Sequence, residues 1–464
     1  MAGRALCVAG VLLLLGPASA RATPTVQGSV ALSGGWSDNV GDLPIGLAAA
    51  TEGPAGEFFG EVSPSITINS GSARLLQSLS YTLDLLGYLH TSWAYSNRLD
   101  WNLMYTASPR TQIVVGAYGF EGGVNTLTLG ADPTNNQVGA LPTGLATILN
   151  FGASEGVRYE ASPVWLLTEA LMLFGNIPVD NSLIMPAGVA VDPAFQAARV
   201  WKSDSVGGEL RTTWVWFGAQ TDANGSVVTP AEQQLISRLQ ASWKHDFGHF
   251  FSTELGGGAI EVMRVDTGGG RFWDWAGLAG AHYVREQGQL DLVYTHGVEP
   301  SLLVGQTFDA DQVYLRGAIP LARKVPLTLA LSTGFMHARQ IDTEVASTVG
   351  TVDDLLVDLL LSYAPNPEVA LQLRYQLLYQ LGSPADPTVA GSVDEPNYLR
   401  NTVMFTIVGH YPPGAPQAVP SHFAQRVDGA DVPSIPAPHA PPPEAPPAGA
   451  VPSGAPAPVG SPAS

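Results

Sequence analysis

The chain has 464 residues, with 21 Lys+Arg against 40 Asp+Glu and a formal net charge of −19. That balance argues against nucleic acid as a partner, because phosphate binding needs basic surface. Charged residues make up only 13% of the chain, against about 25% in an ordinary soluble protein. With 51 glycines, 10 tryptophans and 14 tyrosines, this composition suits a chain whose outer surface does not face water.

The first segment reads as a secretory signal peptide over 1–20. Arg4 supplies the positive start, Ala5 to Leu15 the apolar core, and Ala18-Ser19-Ala20 a small-x-small cleavage site, with Ala20-Arg21-Ala22 as a second candidate. The core is too short for a spanning helix, which needs roughly 20 residues. Cys7, the only cysteine, lies inside this segment and away from the cleavage site, so it is not read as a lipid-attachment residue. The mature chain is then free of cysteine and has no disulfide framework. A bacterial envelope protein is the simplest expectation.

From there the chain repeats one rhythm. In Leu75–Leu85, the residues Leu75, Leu79, Tyr81, Leu83 and Leu85 alternate with Ser78, Ser80, Thr82 and Asp84. Leu99, Trp101, Leu103 and Tyr105 alternate with Arg98, Asp100, Asn102, Thr106 and Ser108. Leu210, Trp214 and Trp216 alternate with Glu209, Arg211 and Thr213, and Leu235, Leu239 and Trp243 with Arg238, Gln240, Ser242 and Lys244. Leu290, Leu292 and Tyr294 follow the same rule. So do Val403, Phe405, Ile407 and Tyr411. The stretch from Ala370 to Leu381, ALQLRYQLLYQL, fits both a strand and a helix when taken alone. Its many period-two companions decide for strand, since residues two apart lie on opposite sides of a helix.

These segments are longer than the 5–6 residues usual in soluble strands and match tilted membrane-spanning strands. No apolar run reaches about 18 residues, and Leu355–Leu361 is interrupted by Asp358, so no spanning helix is expected. Turn signals separate the strands at Ser108-Pro-Arg, Asp246-Phe-Gly, Gly268-Gly-Gly, Glu286-Gln-Gly, Pro365-Asn-Pro and Gly382-Ser-Pro. About 17 such segments can be counted over 25–411. Closed single-chain barrels have even numbers, which gives 16–18 and, as our choice, 18. The stretches 121–149, 176–205, 218–233, 338–352 and 382–397 read as long loops. They alternate roughly with the short turns, as the two ends of an outer-membrane barrel require. The fold expected is all-β: a transmembrane up-and-down antiparallel barrel over 21–413. The last 53 residues hold 16 prolines, so 414–464 reads as a disordered Pro/Ala-rich tail.

Few motifs suggest chemistry. Gly152-Ala-Ser-Glu-Gly156 matches the pattern of a nucleophile elbow, but that motif needs a strand–turn–helix context. We read it as a turn and the chain as no enzyme. His245 and His249 flank a turn, and no set of histidines has metal-ligand spacing, so neither metal nor cofactor is expected. Gly256-Gly-Gly258 reads as easing tight strand packing and Gly268-Gly-Gly270 as a turn, since no helix follows either one. Asp309-Ala-Asp311 offers two acids for a loop-bound calcium ion, too few for a site. Trp93, Trp101, Trp214, Trp216, Trp243, Trp273 and Trp275 would be core in a sandwich but interfacial girdles in a barrel, and we take the second reading.

The polar parity carries the lumen-lining candidates Arg98, Asp100, Arg211, Arg238, Gln372, Arg374, Gln376 and Gln380. A midplane arginine on the lipid face would cost about 2–4 kcal/mol, so these residues belong inside. They either brace the wall by pairing or line a path for a hydrophilic solute, and the two roles are compatible.

Two stretches, Ser108-Pro-Arg-Thr-Gln-Ile113 and Leu399-Arg-Asn-Thr-Val-Met-Phe-Thr-Ile-Val-Gly-His-Tyr-Pro-Pro413, give the chain its family likeness. It resembles the outer-membrane β-barrels encoded with exopolysaccharide export systems. The resemblance covers about 25–413 and excludes the tail. It implies polysaccharide as the passing substrate, outer-membrane lipid as surroundings and a periplasmic polysaccharide export protein as partner. It transfers no catalytic residue. A general diffusion porin, or a plugged docking barrel whose tail binds a partner, are the alternatives.

Overall fold

The computed structural model describes residues 24–39, 56–90, 93–124, 146–179, 186–221, 227–248, 250–266, 269–285, 288–302, 305–322, 325–342, 347–382 and 397–412. The proposed signal peptide and tail lie outside the described residues. No helix occurs among the described residues. In chain order the strands are β1 (Thr25–Ser37), β2 (Glu57–Gly71), β3 (Leu75–Tyr88), β4 (Trp93–Ser108), β5 (Thr111–Val124), β6 (Ala146–Ser162) and β7 (Trp165–Pro178). Then come β8 (Gly188–Val200), β9 (Asp204–Phe217), β10 (Gln220–Thr221), β11 (Val227–Thr229), β12 (Glu232–Asp246) and β13 (Phe251–Arg264). The chain continues through β14 (Arg271–Arg285), β15 (Gly288–Ser301), β16 (Gln306–Pro320), β17 (Leu327–Asp342), β18 (Ser347–Asn366), β19 (Val369–Gly382) and β20 (Tyr398–Tyr411).

Eighteen of these form one antiparallel sheet in which each strand pairs with its neighbours in sequence, and β10–β11 is a separate two-stranded hairpin between β9 and β12. The sheet closes because β20 also pairs with β1, from Gly28 opposite Tyr411 to Ser37 opposite Thr402. Closure removes the free edges and pairs the backbone within the wall, which a membrane demands. Side chains lock the seam. Ser33 and Thr406 hydroxyls lie 3.0 Å apart. Asp38 takes the backbone N–H of Asn401 on one carboxylate oxygen and its side-chain amide on the other, both at 2.6 Å.

The register assigns every alternating residue to a face. Val26, Val30, Leu32 and Trp36 of β1 stand opposite Ile68, Pro64, Val62 and Phe58 of β2, and all of these except Pro64 and Ile68 are among the strongly exposed large apolar residues. Between them Ser29 meets Ser65 and Gln27 meets Thr67. This apolar-out, polar-in pattern continues through β3 and β4, where Leu79, Tyr81 and Leu85 oppose Trp101, Leu99 and Tyr95, and Ser80 and Thr82 oppose Asp100 and Arg98. Of the tryptophans expected in girdles all but Trp101 hold exposed or half-buried outward positions, while Trp101, outward only by parity, is buried at mid-strand and belongs to no girdle. Trp93, Trp214, Trp216, Trp273 and Trp275 cluster within five residues of one end of their strands, Trp243 lies near the other end, and Trp101 sits between.

The two ends differ. At one end the strands are joined by short turns such as 109–110, 163–164 and 367–368, and both β1 and β20 have their outer termini there. Gly248, with φ +87°, supplies the left-handed residue of the turn after β12. At the other end, connections such as 38–56, 125–145, 218–231 and 383–397 join the strands.

Several loop assignments are corrected by these strands. Residues 188–200, inside the expected loop 176–205, form β8. Its alanines and Pro193 masked the alternation. Pro193 has no N–H to donate, and the β8–β9 ladder skips from Val191–Trp214 to Ala194–Arg211. The expected loop 338–352 is almost all β17 and β18, with only 343–346 between them. Likewise β5 runs to Val124 and β6 begins at Ala146, which narrows 121–149. Gly152-Ala-Ser-Glu-Gly156 is not a turn but mid-β6, with Ser154 inward opposite Gly116. Gly152 lies under the Tyr118 ring, which a Cβ there would approach to 2.4 Å and have to displace. Gly258 is constrained more tightly, by the backbone carbonyl of Leu239 at 2.0 Å, as expected of tight strand packing. His245 is a strand residue near the end of β12, its ring 2.8 Å from Asp204, while His249 lies outside the described residues.

The outward face also has exceptions. Glu155 and Glu169 stand opposite Val115 and Val157 on the apolar side of β6 and β7, and both are exposed. Acids cost less than Arg or Lys on a lipid face.

Candidate functional site: the lumen and its inner layer

The eight lumen candidates all fall on the inward parity, and most of them are paired. Arg98 and Asp100, two apart on β4, form a two-pronged contact with distances of 2.8 and 3.0 Å. Arg211 on β9 and Arg238 on β12 stand directly opposite each other, a like-charge pair that is unfavourable unless each is neutralised. Each has its own carboxylate. Arg211 Nε donates to Asp192 at 3.0 Å, and Arg238 Nη2 to Glu209 Oε1 at 2.8 Å. Thr213 donates a further bond to Asp192 at 3.0 Å. Arg374 grips Asp358 with its Nε at 2.9 Å and with Nη2, and Gln376 donates to the same carboxylate at 3.4 Å. Gln372 faces Ser362 and Thr406 across the neighbouring strands. Gln380 is fully buried opposite Asp354. Six of the eight candidates thus stand in bracing contacts: two salt-bridged pairs in one sector, one on β18–β19 joined by Gln376, and one on β4.

The lumen also contains an apolar cluster that the alternation did not announce. Ala190, Val215, Phe217, Ile236, Ile260, Val262 and Ala276, all inward residues of β8, β9, β12, β13 and β14, pack with Val298 and Leu302 at the end of β15 and with Ile341 of β17. Val298 occupies the parity of Leu290, Leu292 and Tyr294, which face outward lower down β15. Thr307, at the corresponding position of β16, donates to Gln234 of β12 at 2.5 Å. A Cβ on Gly188 of β8 would come within 2.9 Å of Leu302.

So the loop ends of β15–β17 do not continue the single wall. Their nominally outer face lies against the inner face of β8–β14, as a second layer inside the barrel. The inner layer buries its other side too: Phe308, Ala310, Ala338 and Val352 form a cluster on the opposite parity.

The layer starts at a fork. The β14–β15 ladder ends at Gly277–His296. β14 continues along β13 to Arg271, and β15 continues along β16 to Ser301. In the crotch, Asp274 of β14 faces His296 of β15 and Asp309 of β16. Both carboxylates come within 3.5 Å of His296 Nε2. Asp309-Ala-Asp311 is thus strand rather than loop, and its two acids share one side of β16. Sequence reasoning found this pair but not its partners. The available signal was a change of polarity: past Tyr294 the outward parity of β15–β18 turns from Leu and Tyr to His296, Asp309, Asp311, His337, Arg339 and Asp353.

No family model matches the chain, and no curated protein matches it. Among solved structures, the siderophore receptor PirA from Acinetobacter baumannii is similar over 84% of this chain and 81% of its own, at 7% identity and a TM-score of 0.43. The ferric-catecholate import receptor Fiu from E. coli K12 matches over 83% and 81%, at 9% identity and a TM-score of 0.38. The RagAB peptide transporter matches over 80% and 64%, at 8% identity and a TM-score of 0.39. Likeness at this level carries no substrate or partner to this chain.

Proposed function

We propose that the protein is an outer-membrane transport barrel and that its solute is a hydrophilic polymer, a polysaccharide on its way out of the cell. The carrying observation is the closed eighteen-stranded wall with Leu, Val, Phe and Trp outside and Ser, Thr, Gln and paired Arg inside. Such a wall is stable only with lipid around it and water within. Hydroxyls and amides offer a sugar chain many moderate hydrogen bonds and no tight site. The family likeness of Ser108–Ile113 and of the closing strand supports the polymer class and a periplasmic export protein as partner. The sector made by β1–β7 and β18–β20 leaves Arg98, Asp100 and Gln372 partly open to the lumen, and the path runs there, beside the inner layer. No catalytic role is proposed.

Deletion of the gene should abolish one surface polysaccharide, with restoration by the wild-type copy; normal surface polysaccharide in the deletion strain sinks the reading. The inner layer favours a second reading, a closed docking barrel. Planar-bilayer conductance separates the two, because a closed barrel passes no current.

A further inference from the structure

We propose that the fork between β14 and β15 is a binding site for a divalent transition-metal cation, with Asp274, His296 and Asp309 as its protein ligands, and that the cation ties the inner layer to the outer wall. The ligand atoms of the three residues lie within 4.8 Å of one another. His296 Nε2 is 3.5 Å from both carboxylates. With bonds of about 2.1 Å, two ligands at the tetrahedral angle stand about 3.4 Å apart, so the imidazole and each acid already hold that spacing. One imidazole with two carboxylates suits zinc and its first-row neighbours, whereas Ca²⁺ and Mg²⁺ favour all-oxygen sets.

Three further observations point to a ligand. First, His296 and Asp309 side chains are only 2% and 1% exposed, yet His296 Nε2 and Asp309 Oδ1, the atoms aimed into the crotch, meet nothing there but each other and the Asp274 carboxylate. Buried polar atoms are normally satisfied. Second, the ligands are held from behind as metal ligands are. His296 Nδ1 lies 3.0 Å from Asp311 Oδ1, an acceptor that places a proton on Nδ1 and so leaves Nε2 as the nitrogen able to ligate. Tyr294 donates to the same Asp311 oxygen at 2.7 Å. Trp275 stacks on the imidazole at 4.1 Å and 12°, and Arg339 bonds the far oxygen of Asp309. Third, three carboxylates, Asp274, Asp309 and Asp311, gather around one imidazole with Arg339 as the one guanidinium bonded to them, a set that a cation would balance. The site is independent of what the barrel transports.

The test uses untagged full-length barrel, refolded in detergent, stripped with chelator, loaded with Zn²⁺ and desalted. Wild type should retain one equivalent of zinc, and His296→Gln and Asp274→Asn less than a tenth of that. Asp311→Asn, which only loosens the imidazole, should weaken binding about 10–100-fold. Each variant is scored only as folded barrel, verified by its heat-modifiable gel mobility. Zinc should also raise the unfolding temperature of wild type and not of His296→Gln. The proposal is overturned if wild type retains no zinc, the result expected of an imidazolium simply bridging two carboxylates. It is equally overturned if His296→Gln retains as much as wild type, or if bound zinc leaves the transition unmoved.

Discussion

Two sectors of the same lumen treat the same residue differently. Arg98 on β4 lies five residues in from the loop end of its strand, and Arg211 and Arg238 lie six in from theirs. All three point inward and all three hold a carboxylate. Yet the Arg98 side chain is 55% exposed, while Arg211 and Arg238 are 14% and 13% exposed. Strand geometry and residue type do not separate them. They differ in surroundings: the layer of β15–β17 packs against β8–β14 in the sector of Arg211 and Arg238, whereas the Arg98 sector carries only the smaller inward cluster of Phe59, Leu86 and Tyr88. The same salt bridge is then a different energetic object, since desolvation makes a pair strong and makes its loss costly.

Removing a partner in the dry sector should have the largest effect. Asp192→Ala leaves Arg211 and Thr213 without their shared acceptor, and should cost about 3–5 kcal/mol, measured as a lower urea midpoint of the refolded barrel. A loss below 1 kcal/mol would mean that water reaches Arg211 and that the layer is not seated. Leu302→Ala attacks the layer itself. Leu302 is nearly fully buried over Gly188, and its truncation should cost about 2–5 kcal/mol. It should also raise single-channel conductance, because the loosened hairpin no longer fills its side of the lumen. Unchanged conductance with lowered stability would separate packing from gating.

How much of this was legible in sequence depends on parity. Wherever strands are regular, the period of two assigns each side chain to lipid or lumen, and all eight lumen candidates fall on the inward face. The alternation alone counted about 17 strands, and the even number that closure requires supplied the eighteenth. β8 was hidden by Pro193 and by its small residues, and the ends of β17 and β18 by their polar composition. The inner layer was not legible because it does not change the period. It changes what the outward parity of β15–β17 faces, and only the run His296, Asp309, Asp311, His337, Arg339 marks the switch. The cluster of Asp274, His296 and Asp309 joins three strands across that fold: Asp309 and Asp311 are visible as a pair, but nothing local brings Asp274 and His296 to them.

Asp358 tests the sector between these extremes. Arg374 is 24% exposed and holds Asp358 with two nitrogens, so Asp358→Ala should cost about 1.5–3 kcal/mol by the same urea measurement. A cost equal to that of Asp192→Ala would extend the dry sector to β18–β19.

Arg98→Ala should have the smallest effect on stability and the clearest effect on passage. Its pair with Asp100 sits in water, where such contacts contribute about 0–1 kcal/mol, so the urea midpoint should barely move. The substitution removes one positive charge from the open sector and leaves Asp100 facing the lumen. Cations should then pass more easily relative to anions, seen as a shifted reversal potential across a salt gradient. Arg238→Ala, made in parallel, should do the reverse: a large loss of stability and, with the inner layer seated, little change in reversal potential. If the two substitutions shifted the potential equally, ions would be using both sectors, and the distinction between a wet path and a braced, layered wall would fail.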